Sequence, residues 1–152
     1  VITPDLAAFL EGEVAIHIAT HNERLEPNGA RVAAVTVDAD GTHVTAYLPK
    51  IAAGTIVADL EASRQAALVF ARPSDDHSCQ IKGVFVEARA AAARERKLVD
   101  RQWDAFLTNL AQIGIPRQVA EGWKTWPSIA IRLRVTALFS QTPGPGAGAP
   151  IP

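Results

Sequence analysis

The feature that most limits how this chain can fold is a repeated period of two. Ile129, Ile131, Leu133 and Val135 alternate with Ala130, Arg132, Arg134 and Thr136, the pattern of a strand that buries one face. That alternation, or a Val- and Ala-rich run with strand character, recurs over residues 14–19, 31–37, 43–48, 65–71 and 79–89. In the last of these, Ile81, Gly83 and Phe85 oppose Lys82, Val84 and Val86. Turn residues separate the runs. Asp38-Ala39-Asp40-Gly41 joins two of them as a hairpin, and Arg72-Pro73-Ser74-Asp75-Asp76 is a polar loop. His21 to Gly29, with Pro27 and Asn28-Gly29, reads as a loop or hairpin turn.

Helical spacing appears in only a few places. Thr3-Pro4-Asp5 is a helix start, with a capping hydroxyl, a first-turn proline and an acid at the positive end of the dipole. Leu6, Phe9 and Leu10 form its apolar face, and Gly12 stops it. Residues 52–62 place Ile56, Val57 and Leu60 on one face. A longer helix runs from about residue 93 to Gly114, with Val99, Trp103, Phe106, Leu107, Leu110 and Ile113 as its buried stripe. Pro116 opens a further short helix. Six strands with so few helical crossovers predict a mainly β, α+β domain, a six-stranded antiparallel Greek-key barrel with flanking helices.

The 152 residues suit one domain, over 1–141, followed by a Pro/Gly-rich tail, 142–152, expected to be flexible. A net charge of −1 gives no basic excess to meet a phosphate backbone, so nucleic acid is not an expected partner. No run approaches the roughly 18 apolar residues of a membrane helix, and no signal-peptide pattern opens the chain. The expected compartment is the cytoplasm. Cys79 is the only cysteine, which excludes an intrachain disulfide and argues against a Cys-based zinc site. His17, His21, His43 and His77 are scattered over different segments without metal-ligand spacing, so no metal is expected. Neither Gly-x-Ser-x-Gly nor Gly-x-x-x-x-Gly-Lys occurs.

Three stretches resemble the pyridoxamine 5′-phosphate oxidase-like, FMN-binding split-barrel superfamily. They are Asn28-Gly29-Ala30-Arg31-Val32-Ala33-Ala34-Val35, the run from Leu60-Glu61-Ala62-Ser63-Arg64 through Phe70, and Ser78-Cys79-Gln80-Ile81-Lys82-Gly83. The resemblance covers roughly residues 6 to 92 and implies FMN at the interface of a homodimer. It also implies flavin-dependent oxidoreductase activity on a small organic molecule. The alternative is a non-catalytic binder of haem, a deazaflavin or another ligand.

By this resemblance Arg31 anchors the phosphate, for which a planar fork of donors is suited. The Val32, Ala33, Ala34 and Val35 backbone lies along the ring edge. Where the oxidases carry Ser-Arg-Lys before a helix, this chain has Gly54-Thr55-Ile56. Thr55 supplies a hydroxyl, the helix supplies its N–H groups, and Lys50 is the nearby cation. Lys82 is placed to stabilise anionic reduced flavin, and Gln80, on the same strand face, to hydrogen-bond the ring. No acid, base or nucleophile is assigned a catalytic role. Trp123 and Trp126 flank a connector at the barrel rim, where packing is the default and covering a ligand or dimer contact the alternative. Arg132 and Arg134 read as a solvent-facing row, with ligand-phosphate or subunit contact as the alternative.

Overall fold

The computed structural model describes residues 1–152. Helix α1 (Pro4–Leu10) starts as its sequence predicts, with the Thr3 hydroxyl accepting from the Leu6 N–H at 3.3 Å. Strands β1 (Ala15–His21), β2 (Pro27–Val32), β3 (Ala34–Val37) and β4 (His43–Pro49) follow. Helix α2 (Lys50–Ser63) then leads to β5 (Gln65–Ala71) and β6 (Ser78–Ala90). A 3₁₀ turn (Ala93–Glu95), α3 (Arg96–Gln112), the short α4 (Gln118–Glu121) and β7 (Ser128–Ser140) complete the chain.

All strand pairs are antiparallel, and one curled sheet has the order β2-β1-β5-β6-β7-β4-β3. There are seven strands rather than the six expected, because the run 31–37 is divided. Its first part pairs with β1 and its second with β4. At the break the Ala33 N–H donates to the Tyr47 carbonyl at 2.9 Å. The outermost strands of the sheet are therefore neighbouring segments of one stretch of chain. That continuity curls the sheet around its core as a half-barrel.

The turn between β1 and β2 also differs from expectation. Asn28 and Gly29 lie inside β2, paired with Thr20 and Ala19. The reversal sits earlier, where the Asn22 side-chain oxygen accepts from the Arg24 and Glu26 N–H groups and Leu25 takes a left-handed φ of 62°. An Asx-type side-chain contact thus makes the turn that Asn-Gly composition suggested a few residues on.

The core fills the inside of the curl. Fully buried Ile18, Leu48, Ile56, Leu60, Leu68, Phe70, Ile81, Ile131 and Leu133 meet there from both halves of the sheet and from α2. Register shifts between Lys82 and Gly83 and between Phe85 and Glu87 bend β6 over β7. A Cβ on Gly83 would stand 3.0 Å from the Arg134 carbonyl oxygen, so this close strand approach needs glycine. The Pro/Gly segment folds back on β7: Gly148 donates to Ser140 and Ile151 to Leu138. No helix is long and apolar enough to cross a membrane.

On the opposite side, α3 packs against β3 and β4. Its buried residues are Val99, Gln102, Phe106, Leu107 and Asn109. Trp103 and Leu110 are only partly buried, and Ile113 is exposed, a departure from the purely apolar stripe expected. Glu95 fixes the entry to this helix. Its carboxylate accepts from the Tyr47 hydroxyl, both terminal nitrogens of Arg89 and the Ala92 N–H, at 2.6–2.9 Å.

These bonds, the Arg89 pair foremost, hold the Glu95 carboxyl down at about 2 against an ordinary 4.5. A depressed carboxylate stabilises the fold above its unfolded pKa and loses that contribution as pH falls through the folded one. Thermal melts should therefore show stability dropping as pH falls from about 4.5 towards 2. Glu95→Gln should flatten that component and cost about 1–2 kcal/mol at neutral pH.

Candidate functional site

Strand β2 carries Arg31 out of the sheet towards α3. Its guanidinium carbon lies 5.0 Å from the centre of the Phe106 ring and 4.7 Å from that of Trp123. The cation is thus bracketed by two aromatic faces. Trp103 packs against both rings, 5.3 Å from Phe106 and 5.8 Å from Trp123. Burial lowers the pKa of Arg31 from its ordinary value. Across the β1–β2 pairing stands His17, whose pKa is lowered by burial and, secondarily, by the charge on Arg31. The Arg31 Nη1 atom is buried and has no hydrogen-bond partner. An unpaired donor of a charged group, withdrawn from water, is costly unless an anion completes it.

Arg31 lines a small cavity of about 140 Å³ with Ala33, Pro49, Ile51, Trp123 and Lys124 among its other walls. Pro49 and Ile51 bracket the start of α2, whose N-terminus has no side-chain cap. Two cations and the positive end of a 14-residue helix therefore border one pocket. That donor set suits a phosphate or carboxylate.

The cofactor-binding residues expected from sequence do not all gather here. Arg31 and Ala33 share the pocket. The Val32 side chain points into the main core, and Ala34 packs with Tyr47 and Val99. Lys50 is exposed and lines a separate groove with Gly54, Val57 and Arg89. Thr55 is exposed on α2 and is not among the residues lining the Arg31 pocket. Lys82 lies on the outer sheet face, where it borders a shallow concavity of about 420 Å³ with His21, Ala67 and Thr136. Its ammonium is 5.2 Å from the centre of the Phe139 ring. Gln80 pairs between Val69 and Phe139 on that strand.

Lys124, Thr125 and Gln102 escaped the sequence reading. The first two sit in a connector without periodicity. Gln102 did leave a signal, because it and Asn109 interrupt the apolar stripe of α3. Away from the pocket, the ligand atoms of Asp38, Asp40 and His43 come within 4.8 Å of one another, although the expected pattern was scattered histidines. Their charges are already matched in part: Arg132 holds Asp38 at 2.6 Å, and the Thr42 N–H and hydroxyl both bond Asp40. Arg132 is accordingly paired rather than one of a free solvent-facing row.

This curled, seven-stranded sheet shares its split-barrel fold with several solved proteins. HupZ of Group A Streptococcus superposes with a TM-score of 0.60 at 13% identity, over 97% of this chain and 100% of that one. An F420 reductase superposes with a TM-score of 0.58 at 16% identity, over 86% and 93% of the two chains. An FMN-binding protein from Syntrophomonas wolfei gives a TM-score of 0.56 at 7% identity, over 88% and 82%. At such identities the likeness is one of fold. No protein-family model matches the sequence, and no curated protein matches it.

A flavin can be tested against the pocket in two parts. The phosphate end fits in part: Arg31 has a free buried donor beside Lys124 and the start of α2, which has no side-chain cap but whose Lys50 N–H donates to the Pro127 carbonyl at 2.8 Å. The ring end does not fit in this conformation. The cavity is about 140 Å³, below the several hundred typical of a pocket for a molecule of that size. The Val35 backbone, expected along the ring edge, is already bonded through both its N–H and its carbonyl to Gln102.

The aromatic bracket is testable by itself. A double-mutant cycle of Arg31→Ala and Trp123→Ala, read by urea denaturation, should give a coupling of about 0.5–1 kcal/mol. Additive losses would mean that the ring and the cation do not interact.

Proposed function

We propose that this chain binds a phosphate-bearing flavin, FMN, with Arg31 as the phosphate anchor, and that it does so as a homodimer. The observation that carries the reading is the buried Arg31 Nη1 without a partner, in a pocket bordered by Lys124 and the start of α2. The fold supports it, since an FMN-binding protein shares this architecture. The F420 reductase gives a deazaflavin as the second reading, separable by its absorption spectrum. The proposal commits to binding. Hydride chemistry, where it occurs, is supplied by the flavin itself.

The dimer is argued from the outer sheet face. Ala19, Ala67, Gly83 and Val84 line its concavity, and Val86 is 42% exposed nearby. The concavity is mixed, with Thr20, His21, Gln65, Lys82 and Thr136 beside those small side chains, and a second copy is the partner proposed for it. Lys82 and His21 border this concavity rather than the Arg31 pocket, so they would meet a ligand only from across a subunit interface.

The expected result is that protein mixed with FMN and freed of excess keeps the two-band spectrum of oxidised flavin. Its melting temperature should rise with FMN concentration, as mass action requires. Light scattering should give a dimer mass, and Arg31→Ala should lose the colour. Protein that keeps no flavin contradicts the reading.

A further inference from the structure

Strand β7 outruns its neighbour. It spans Ser128–Ser140, but β4 pairs with it only as far as His43 against Arg134, and the Thr42 carbonyl adds one bond from the Val135 N–H. Beyond that point this edge of β7 is taken by the Pro/Gly segment. The Gly148 N–H donates to the Ser140 carbonyl at 2.7 Å, the Ser140 N–H to the Ala149 carbonyl at 2.9 Å, and the Ile151 N–H to the Leu138 carbonyl at 2.9 Å. Pro150 stands opposite Phe139 as an isolated bridge. That pair lies between ladder bonds, where a residue without an N–H loses nothing. Ile151 packs against the main core. The segment expected to be flexible is thus a short docked strand.

The connection that brings it there is longer than the pairing requires. Residues 141–148 separate Ser140 from Ala149, eight positions where a hairpin uses about two to five. Gln141 and Thr142 are tied to the end of β6 through Ser78. Residues 143–148 are all exposed, and Pro143 and Pro145 bias them towards extended backbone. From Thr142 to Gly148 is six steps, a reach of at most about 20–22 Å. The docked strand also lies at the margin of the face proposed for a second copy. Thr136 lines both the outer concavity and a cavity of about 240 Å³ between Ile151 and the β3–β4 turn.

We propose that the strand Gly148–Ile151 is exchanged between two copies of the chain, each docking on the β7 edge of the other. The inference rests on the homodimer reading and deepens it, by naming the segment that crosses. An exchanged segment makes between chains the same three backbone bonds, and the same Ile151 packing, that it makes within one. Neither docking surface has to change, which makes exchange of an identical element a low-cost route to a dimer. Only the linker differs. It opens from a folded-back course, with Gly144 and Gly148 at φ of 144° and 85°, to the extended one its prolines favour. The slot specifies its occupant: extended backbone, a proline opposite Phe139 and a branched aliphatic residue after it.

Residues opposed between ladder bonds have Cα atoms about 4.5 Å apart, within reach of a disulfide. Phe139→Cys and Pro150→Cys are made in separate chains, mixed in denaturant, refolded under reductant and then oxidised. A 139–150 disulfide can form only between chains. Cys79 is buried, with its thiol pushed up to about 12, and does not compete in the folded protein. Up to about half of the chains should run as a covalent dimer without reductant, because random pairing puts that fraction in mixed dimers. The unsubstituted protein gives a second readout, which decides alone where a variant does not refold. In a mixture of isotope-labelled and unlabelled chains, filtered NOEs should connect Ile151 to Leu138 of the partner subunit. If light scattering gives a dimer mass while neither the disulfide nor the NOEs appear, the exchange is overturned and the homodimer stands. If the mass is that of a monomer, both are overturned.

Discussion

Residues 27–37 set the geometry on which the rest of this protein depends. They are extended throughout, yet they serve two partners, β1 before Ala33 and β4 after it. A flat sheet cannot place both ends of one strand at its two edges. The bend forces the sheet to curl, and the curl encloses Ile18, Leu68, Phe70 and Ile131 as a single core. Small residues at the bend matter, because Ala33 and Ala34 let α3 approach β3 closely through Val99.

That same bend creates the candidate site. Before it, β2 projects Arg31 towards the aromatic face of α3. After it, β3 presents the Val35 peptide to Gln102. Two polar demands of very different strength result. The backbone demand is met in full by one amide. The guanidinium demand is met by π faces, with a nitrogen left over. A cation–π contact offsets part of a charge's desolvation but offers no acceptor for its N–H groups. The pocket is therefore biased towards an anion at one end and satisfied at the other.

Much of the architecture was legible because it is written in local periods. The alternation through Ile81, Gly83 and Phe85 reports which side of β6 is buried, and Thr3-Pro4-Asp5 reports where α1 begins. What was not legible depended on partners distant in sequence. Nothing local to Arg31–Val37 says that its two halves pair with different strands, so two strands read as one. The loop read over His21 to Gly29 does hold the turn at Asn22, but its end, Asn28-Gly29, carries a turn signature while being held in a ladder. At the site, Arg31 was recognised from the superfamily pattern and does line a pocket. Lys50 and Thr55 were grouped with it through the superfamily's Ser-Arg-Lys turn, and the helix they lie on turns their side chains elsewhere. Gln102 was read past because an apolar stripe tolerates a polar residue; the cross-chain peptide it serves lies 67 positions away.

The account stands or falls on whether Arg31 is an anion anchor. Calorimetric titration of the purified protein with FMN and with riboflavin, which differ only in the phosphate, tests this directly. A charge-assisted guanidinium–phosphate contact predicts that FMN binds at least about tenfold more tightly than riboflavin, and that Arg31→Ala erases the difference. Equal affinity for the two flavins, or a preference for FMN that survives Arg31→Ala, would contradict it.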